Sequence, residues 1–354
     1  MTALADLLIR RIAATGPLTL ADYMADCLLH PDHGYYATRD PFGAGGDFTT
    51  APEISQMFGE LLGLCLAQTW LDQGAPAPFT LAELGPGRGT LMADLLRATR
   101  TVPGFHAAAR VTLIEASATL RGIQRRTLGD HPVTWADSVE ALPEAPLFLI
   151  ANEFFDALPI RQFTRQREGW AETVVGLDGD RLSLGRTPPA PLAALDHRLP
   201  DTAPGDIVEI CPAAAPIMAR IGGLIARHGG AALVIDYGGW QSRGDTFQAL
   251  QDHRPTDPLA APGRADLTAH VDFAALAHAA PPARASRMIE QGALLQRLGI
   301  DQRAARLATS LTGAAQESHL AAHRRLTDRA EMGSLFKALA VYPPHRMPPP
   351  GFDA

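Results

Sequence analysis

Cysteine is scarce in this chain: Cys27, Cys65 and Cys211 stand far apart, with no CxxC pair and no metal-ligand spacing. That excludes a disulfide framework and argues against a zinc or iron–sulfur centre. A reducing compartment, the bacterial cytoplasm, is expected, and no metal. Long apolar runs are missing too: none reaches the roughly 18–20 residues that cross a bilayer, so no membrane insertion is expected. The amphipathic start, Met1 to Arg11, carries an early acid, Asp6, and no cleavage-like site, and is read as a first structural helix. Excess positive charge is absent as well. The formal net charge of -7 would repel a phosphate backbone. The densest basic clusters, Arg121/Arg125/Arg126 and His323-Arg324-Arg325, read as solvated helix faces, so nucleic acid is not an expected partner.

What is present is apolar and small. Hydrophobic residues make up 46% of the 354, enough for a large core, and the low charged share with abundant Ala, Gly and Pro looks like a compact protein from a GC-rich bacterial genome. The length calls for one domain with large insertions, or two domains. Residues 1–75 read as helices interrupted by a glycine-rich loop: Leu4, Leu7, Leu8 and Ile12 keep helical spacing, Thr19 or Asp22 can cap a second helix, and Ser55 to Trp70 is a largely apolar third. From Phe79 the pattern becomes strand–helix alternation, with strands at 79–84, 111–115, 133–135 and 147–151, which predicts a parallel sheet with helices on both faces. Residues 157–215 interrupt it with antiparallel strands, Arg161–Val175 and Arg181–Leu184, around an Asp178-Gly179-Asp180 turn. The alternation resumes over 216–342, including the strand Ala231–Asp236, before an irregular Pro-rich tail at 343–354. The fold class is therefore α/β: a Rossmann-like core (76–156 and 216–342), an N-terminal helical segment and an inserted α+β subdomain.

Chemistry is concentrated where strands end. Glu83-Leu84-Gly85-Pro86-Gly87-Arg88-Gly89-Thr90 closes a strand and opens a helix. Alternate glycines clear side chains where a nucleotide approaches the backbone, and the helix start offers free N–H groups. A dinucleotide site or an ordinary tight turn are the alternatives. Two details favour S-adenosylmethionine: Gly89 comes one residue too early for GxGxxG, and Glu83 stands where a cofactor ammonium, not a pyrophosphate, would be welcome. Glu115, 26 positions after Gly89, can accept both ribose hydroxyls. Asp137, past the next strand, is placed for an adenine amino group, although a surface acid fits as well. After the fourth strand, Asn152-Glu153-Phe154-Phe155-Asp156 offers two carboxylates able to hold a guanidinium in bidentate fashion. The plainer reading is a capping acid with core phenylalanines. Asn-Pro-Pro-aromatic, the motif that methylates adenine or glutamine side chains, is absent.

With these residues in view, the chain resembles the MidA-like family of class I methyltransferases. The resemblance spans nearly the whole sequence and rests on Gly46–Glu60 (GDFTTAPEISQMFGE), Glu83–Thr90, Ala151–Pro159, Asp266–Phe273 (DLTAHVDF) and Met332–Lys337 (MGSLFK). It implies S-adenosylmethionine as cofactor and a protein arginine as acceptor; the family's eukaryotic member is a mitochondrial assembly factor that methylates a respiratory complex I subunit. It also implies that the 46–60 segment folds over the cofactor, which adds Gly46, Asp47 and Thr49, with Asn152, to the cofactor-binding set. By analogy with other arginine methyltransferases, His270 joins Glu153 and Asp156 as candidate catalytic residues. One departure is Ala116-Ser117, where Ser-Pro is expected after the acid. A respiratory complex I subunit or similar protein is the expected partner, and a homodimer is left open. The rivals are a dehydrogenase, for which no hydride-handling spacing is found, and a non-catalytic assembly chaperone that binds the cofactor.

Overall fold

The structure, a computed structural model, describes residues 2–38 and 49–354. The chain divides into two compact units: unit 1 comprises residues 1–48, 156–214 and 241–272, and unit 2 residues 49–155, 215–240 and 273–354.

Unit 2 is built on a sheet whose main strands are β1 (Phe79–Leu84), β2 (Ala109–Ile114), β3 (Val133–Ala136), β4 (Leu147–Asn152), β5 (Gly230–Gly239) and β6 (Phe336–Tyr342). Their order is β6-β5-β4-β1-β2-β3, extended beyond β6 by the short strand Arg284–Ala285. Pairings from β5 through β3 are parallel and β6 runs antiparallel. Central strands covered on both faces must be apolar throughout, and β1 and β4 are buried at every position. Helix α1 (Gln56–Asp72), capped by Ser55, contributes Met57, Phe58, Leu62, Leu66 and Trp70 to this core. It lies close against α2 (Thr90–Ala98): a Cβ on Gly59 would sit 2.8 Å from Asp94 Cβ, and one on Gly63 2.7 Å from Leu95 Cγ. Only glycine permits that approach. Because α1 packs here, residues 49–75 belong with the sheet, where the sequence reading grouped them with the N-terminal helices.

Unit 1 carries an antiparallel sheet ordered Leu18–Thr19, Gly169–Asp178, Arg161–Gln166, Ile207–Ile210, with Arg181–Arg186 also paired to Gly169–Asp178. Helices Ala3–Thr15 and Leu20–Leu29 cover it, the second capped by Thr19 accepting the Asp22 amide. A small sheet of Gln248–Gln251, Arg254–Thr256 and Asp266–Thr268 completes the unit. The expected single strand Arg161–Val175 is two, turned at Arg167-Glu168; that turn carries neither Gly nor Asn at its centre and so gave no signal. Residues 241–272, read from sequence as part of the core, group with unit 1. Among the described residues no helix is long and apolar enough to cross a membrane.

One buried charge ties three helices of unit 2 together. Glu60 on α1 is 3% exposed; its Oε1 receives Arg97 Nη1 at 2.5 Å and its Oε2 receives Nε of Arg303, on α4 (Ile300–Ala308), at 2.7 Å. The arginine side chains stay 41% and 32% exposed. Removing Glu60 therefore leaves cations that water can reach, whereas removing both arginines leaves a buried anion unpaired. Chemical denaturation should find Arg97→Met/Arg303→Met destabilised by roughly 3 kcal/mol and Glu60→Met by clearly less. The opposite ranking would mean that the triad does not behave as a buried anion with solvent-facing partners.

Candidate functional site

The sheet of unit 2 reverses direction at its centre. From β1 the chain steps outward through β2 to β3, then returns to lay β4 on the other side of β1. In open α/β sheets the crevice at the carboxyl ends of two such strands receives the ligand. The glycine turn closes β1 at that point. Gly85, Gly87 and Gly89 all have positive φ (57°, 52° and 82°), and a Cβ on Gly85 would lie 2.9 Å from the Phe154 ring. Gly89 is the N-cap of α2.

Among the described residues, two buried acceptors at these strand ends have no hydrogen-bond partner. Glu83, 3% exposed near the end of β1, keeps Oε2 unsatisfied, and Asn152, 8% exposed at the end of the adjacent β4, keeps Oδ1 unsatisfied. Polar atoms orphaned in this way are rare and call for a partner. An ammonium, with three donors and a positive charge, suits both. These residues therefore fit the aminoacyl end of S-adenosylmethionine. Burial pushes the Glu83 carboxyl up to about 8; a backbone bond to Met92 works against this and the Glu115 charge adds to it.

Glu115, one residue past β2, is oriented from behind. Its Oε1 accepts the Ser117 amide at 2.8 Å and its Oε2 accepts Gln124 Nε2 at 3.1 Å, while burial raises its carboxyl above the usual range. Ser117, where family resemblance led to an expected proline, supplies an N–H that proline lacks. It also caps α3 (Ala118–Leu128) through its Oγ, which accepts the Leu120 amide. Arg121, on α3, was read as part of a solvated face; instead its Nε donates to the Glu115 carbonyl at 2.7 Å and its Nη2 to Asp137 Oδ1 at 2.5 Å. Arg125, by contrast, is exposed and stacks over Trp135, 4.6 Å from its centroid. Asp137 itself is 87% exposed on its side chain, so the structure leaves it reachable beyond its pairing with Arg121.

The loop after β4 holds Glu153 in a left-handed conformation, φ 49°, which is unusual for a residue with a side chain. Its Oε1 accepts the Ala51 amide at 3.0 Å and Asn152 Nδ2 at 3.1 Å. Thr49, half-buried, lies just before the helical turn Ala51–Ile54. Sequence reasoning missed Asp236. Fully buried in β5, it accepts the Phe154 and Phe155 amides through Oδ2 at 3.2 and 3.0 Å and so fixes the loop's exit.

Asp156 and His270 lie in unit 1. Their loops, separated by over a hundred residues of sequence, meet through the Ala269 amide, which donates to the Asp156 carbonyl at 3.0 Å. Asp156 is buried and His270 exposed. The His270 amide donates to Thr246 Oγ1 at 2.9 Å, and Thr246 in turn donates to buried Glu209, whose carboxyl is raised by burial. Asp272 Oδ2 accepts the Ser242 amide, and Tyr36 donates to Asp266 at 2.8 Å. Gly46 and Asp47 lie outside the described residues.

Comparison with known proteins agrees with this geometry. Residues 61–289 match a family described as "Putative S-adenosyl-L-methionine-dependent methyltransferase". The chain is 37% identical over 369 residues to the human mitochondrial protein arginine methyltransferase NDUFAF7, covering 96% of this chain and 83% of that protein. It is 36% identical over 374 residues to the Xenopus tropicalis protein of that name, covering 98% and 87%. A protein from Burkholderia thailandensis, crystallised bound to S-adenosyl-homocysteine, superposes with a TM-score of 0.84 at 32% identity, covering 99% of this chain and 93% of that one.

The buried acid gives a measurable pH dependence. Glu83 binds its proton more tightly folded (about 8) than at its ordinary value of 4.5, so the ligand-free chain should lose stability as pH rises between those values. Glu83→Gln should flatten that slope in thermal melts and weaken binding of S-adenosyl-homocysteine. Calorimetry near pH 7 in buffers of different ionisation enthalpy should detect proton release on binding in the wild type but not in Glu83→Gln. Equal slopes and equal proton release in both would remove Glu83 from the ligand site.

Proposed function

Because this chain belongs to the family of S-adenosylmethionine-dependent methyltransferases, we propose that its acceptor is an arginine side chain of a protein. The observation that carries this reading is the Glu153 carboxylate. It stands at the carboxyl end of a central strand, in a conformation that costs energy, with its Oε1 already held by the Ala51 amide and Asn152. A carboxylate held this way is suited to pair with a guanidinium and fix its orientation. The names of the mammalian and amphibian relatives point to the same acceptor. As substrate we propose a respiratory complex I subunit or a similar protein, and as compartment the bacterial cytoplasm, following the family resemblance and the composition.

In this reading Glu83 and Asn152 hold the cofactor's ammonium, Glu115 accepts from its ribose hydroxyls, Asp137 meets its adenine, and the glycine turn admits its backbone-proximal atoms. When bound, S-adenosylmethionine supplies a methyl group on a sulfonium that is already a good electrophile. What remains for the chain is to align the acceptor nitrogen with that methyl and to exclude water, so most of the acceleration comes from proximity and orientation. We give Glu153 the orienting role. The proton lost by the methylated nitrogen goes to one of the acid–base groups expected from the sequence: Glu153, Asp156 or His270. Residues 157–215 keep the substrate-side role expected from the sequence.

Glu153→Gln tests this directly, because a glutamine oxygen can still accept from Ala51 and Asn152 while the charge is gone. The variant should bind S-adenosyl-homocysteine almost as the wild type does, by calorimetry. It should also lose roughly 100-fold or more in label transfer from S-adenosylmethionine into extract of a deletion strain. Asp156→Asn should lose transfer too, to a smaller extent. Full transfer in both variants would sink the guanidinium clamp, and loss of cofactor binding in Glu153→Gln would place the loop in the cofactor pocket instead.

A further inference from the structure

Gln124 stands out among the groups behind the site: a wholly buried amide, 0% exposed, on the buried face of an arginine-rich helix, between Leu120 and Leu128. Every polar atom of its side chain is used. Nε2 donates to the Gly87 carbonyl at 2.8 Å and to Glu115 Oε2 at 3.1 Å, and Oε1 accepts Trp135 Nε1 at 2.8 Å. One side chain thus joins the middle of the glycine turn, the acid after β2 and the strand β3. Gly89 packs beside it: a Cβ at that position would make only ordinary van der Waals contact with Gln124, 3.5 Å from its Cα and Cγ.

We propose that Gln124 is a positioning residue for the cofactor: it holds Glu115 so that its free lone pairs face the ribose hydroxyls, and sets the Gly87 turn against the same nucleoside. This rests on the assignment of Glu115 to the ribose. The physical case is preorganisation. A carboxylate that must accept two hydroxyls at once needs a fixed plane, and here Oε1 is held by the Ser117 amide while Oε2 is held by Gln124. Without the Gln124 contact the plane can swing, and the ordering must be supplied when the ligand binds. Trp135 fixes the amide's orientation: an indole N–H can only donate, so Gln124 must present its oxygen to Trp135 and its NH2 group to Gly87 and Glu115.

The test uses two probes, S-adenosyl-homocysteine and its 2′-deoxy analogue, against the wild type, Glu115→Gln, Gln124→Met and Gln124→Asn. Gln124→Met keeps the volume without the polar atoms. Gln124→Asn keeps the amide, but a shorter stem cannot reach Gly87 and Glu115 together, and it serves if the Met variant folds poorly by circular dichroism. The wild type should bind the deoxy analogue about 10-fold or more weakly than the parent, as expected for a lost hydrogen bond to a charged group. In the Gln124 variants the parent should bind about 10-fold more weakly, and the discrimination between the two probes should shrink toward that of Glu115→Gln. A side chain that merely packs would lower stability and leave that ratio alone. If the Gln124 variants keep the wild-type ratio while Glu115→Gln loses it, Gln124 does not act through Glu115 and the proposal fails. If the wild type itself does not discriminate, the ribose assignment fails, and the positioning role falls with it.

Discussion

A carboxylate buried near the end of a central strand, one of its oxygens without a partner among the described residues, is what the rest of unit 2 has to accommodate. Moving a carboxylate out of water costs several kcal/mol unless it is paired or protonated. Glu83 cannot retreat, because β1 is hydrogen-bonded on both sides and buried at every residue. The chain alone meets the cost by holding the proton. In the proposed reading a ligand ammonium would meet it better, which would make the unsatisfied Asn152 oxygen on the next strand and the left-handed glycine turn parts of one arrangement. Stability and cofactor binding oppose each other at this position.

The same logic recurs one layer out. The groups at the other strand ends are fixed by residues from elsewhere in the chain. Gln124 and the Ser117 amide hold Glu115, Arg121 holds Asp137, and Asp236 holds the peptide units that follow Glu153. In unit 1, Glu209 and Thr246 support the His270 backbone in a comparable way. Acidic side chains with short, directional neighbours keep their aim. Cations that reach solvent, such as Arg125 and Arg324, contribute little to it.

Strand–helix alternation made the sheet legible, because buried parallel strands are mostly apolar, as β1 and β4 are apart from Thr80, Glu83 and Asn152. The glycine turn and Glu115 were legible for a related reason, since a positive φ and a strand-terminal acid leave marks in sequence. Three things were not. The packing partner of α1 depends on Gly59 and Gly63, whose role appears only when α2 is laid against them. The turn at Arg167-Glu168 has no composition signal. The supporting groups were misread or overlooked because their chemistry is decided by what they face: Arg121 looked like a solvated cation, and Gln124 and Asp236 looked like ordinary helix and strand residues.

Glu153 supplies the argument that separates a catalyst from a scaffold that merely keeps the cofactor fold. A side chain with a Cβ held at φ 49° costs on the order of 1–3 kcal/mol, and glycine or asparagine would relieve most of it. Cofactor binding gives no reason to bear that cost. In the proposed reading the ammonium has Glu83 and Asn152 and the ribose has Glu115, and none of these three has a positive φ. What the strained geometry accomplishes is to place a carboxylate at the end of β4, with Oε1 held by the Ala51 amide and Asn152 and with Asp236 holding the next two amides in position. A binding-only scaffold would have use for the turn but none for the charge, whereas alignment of a cationic acceptor requires both.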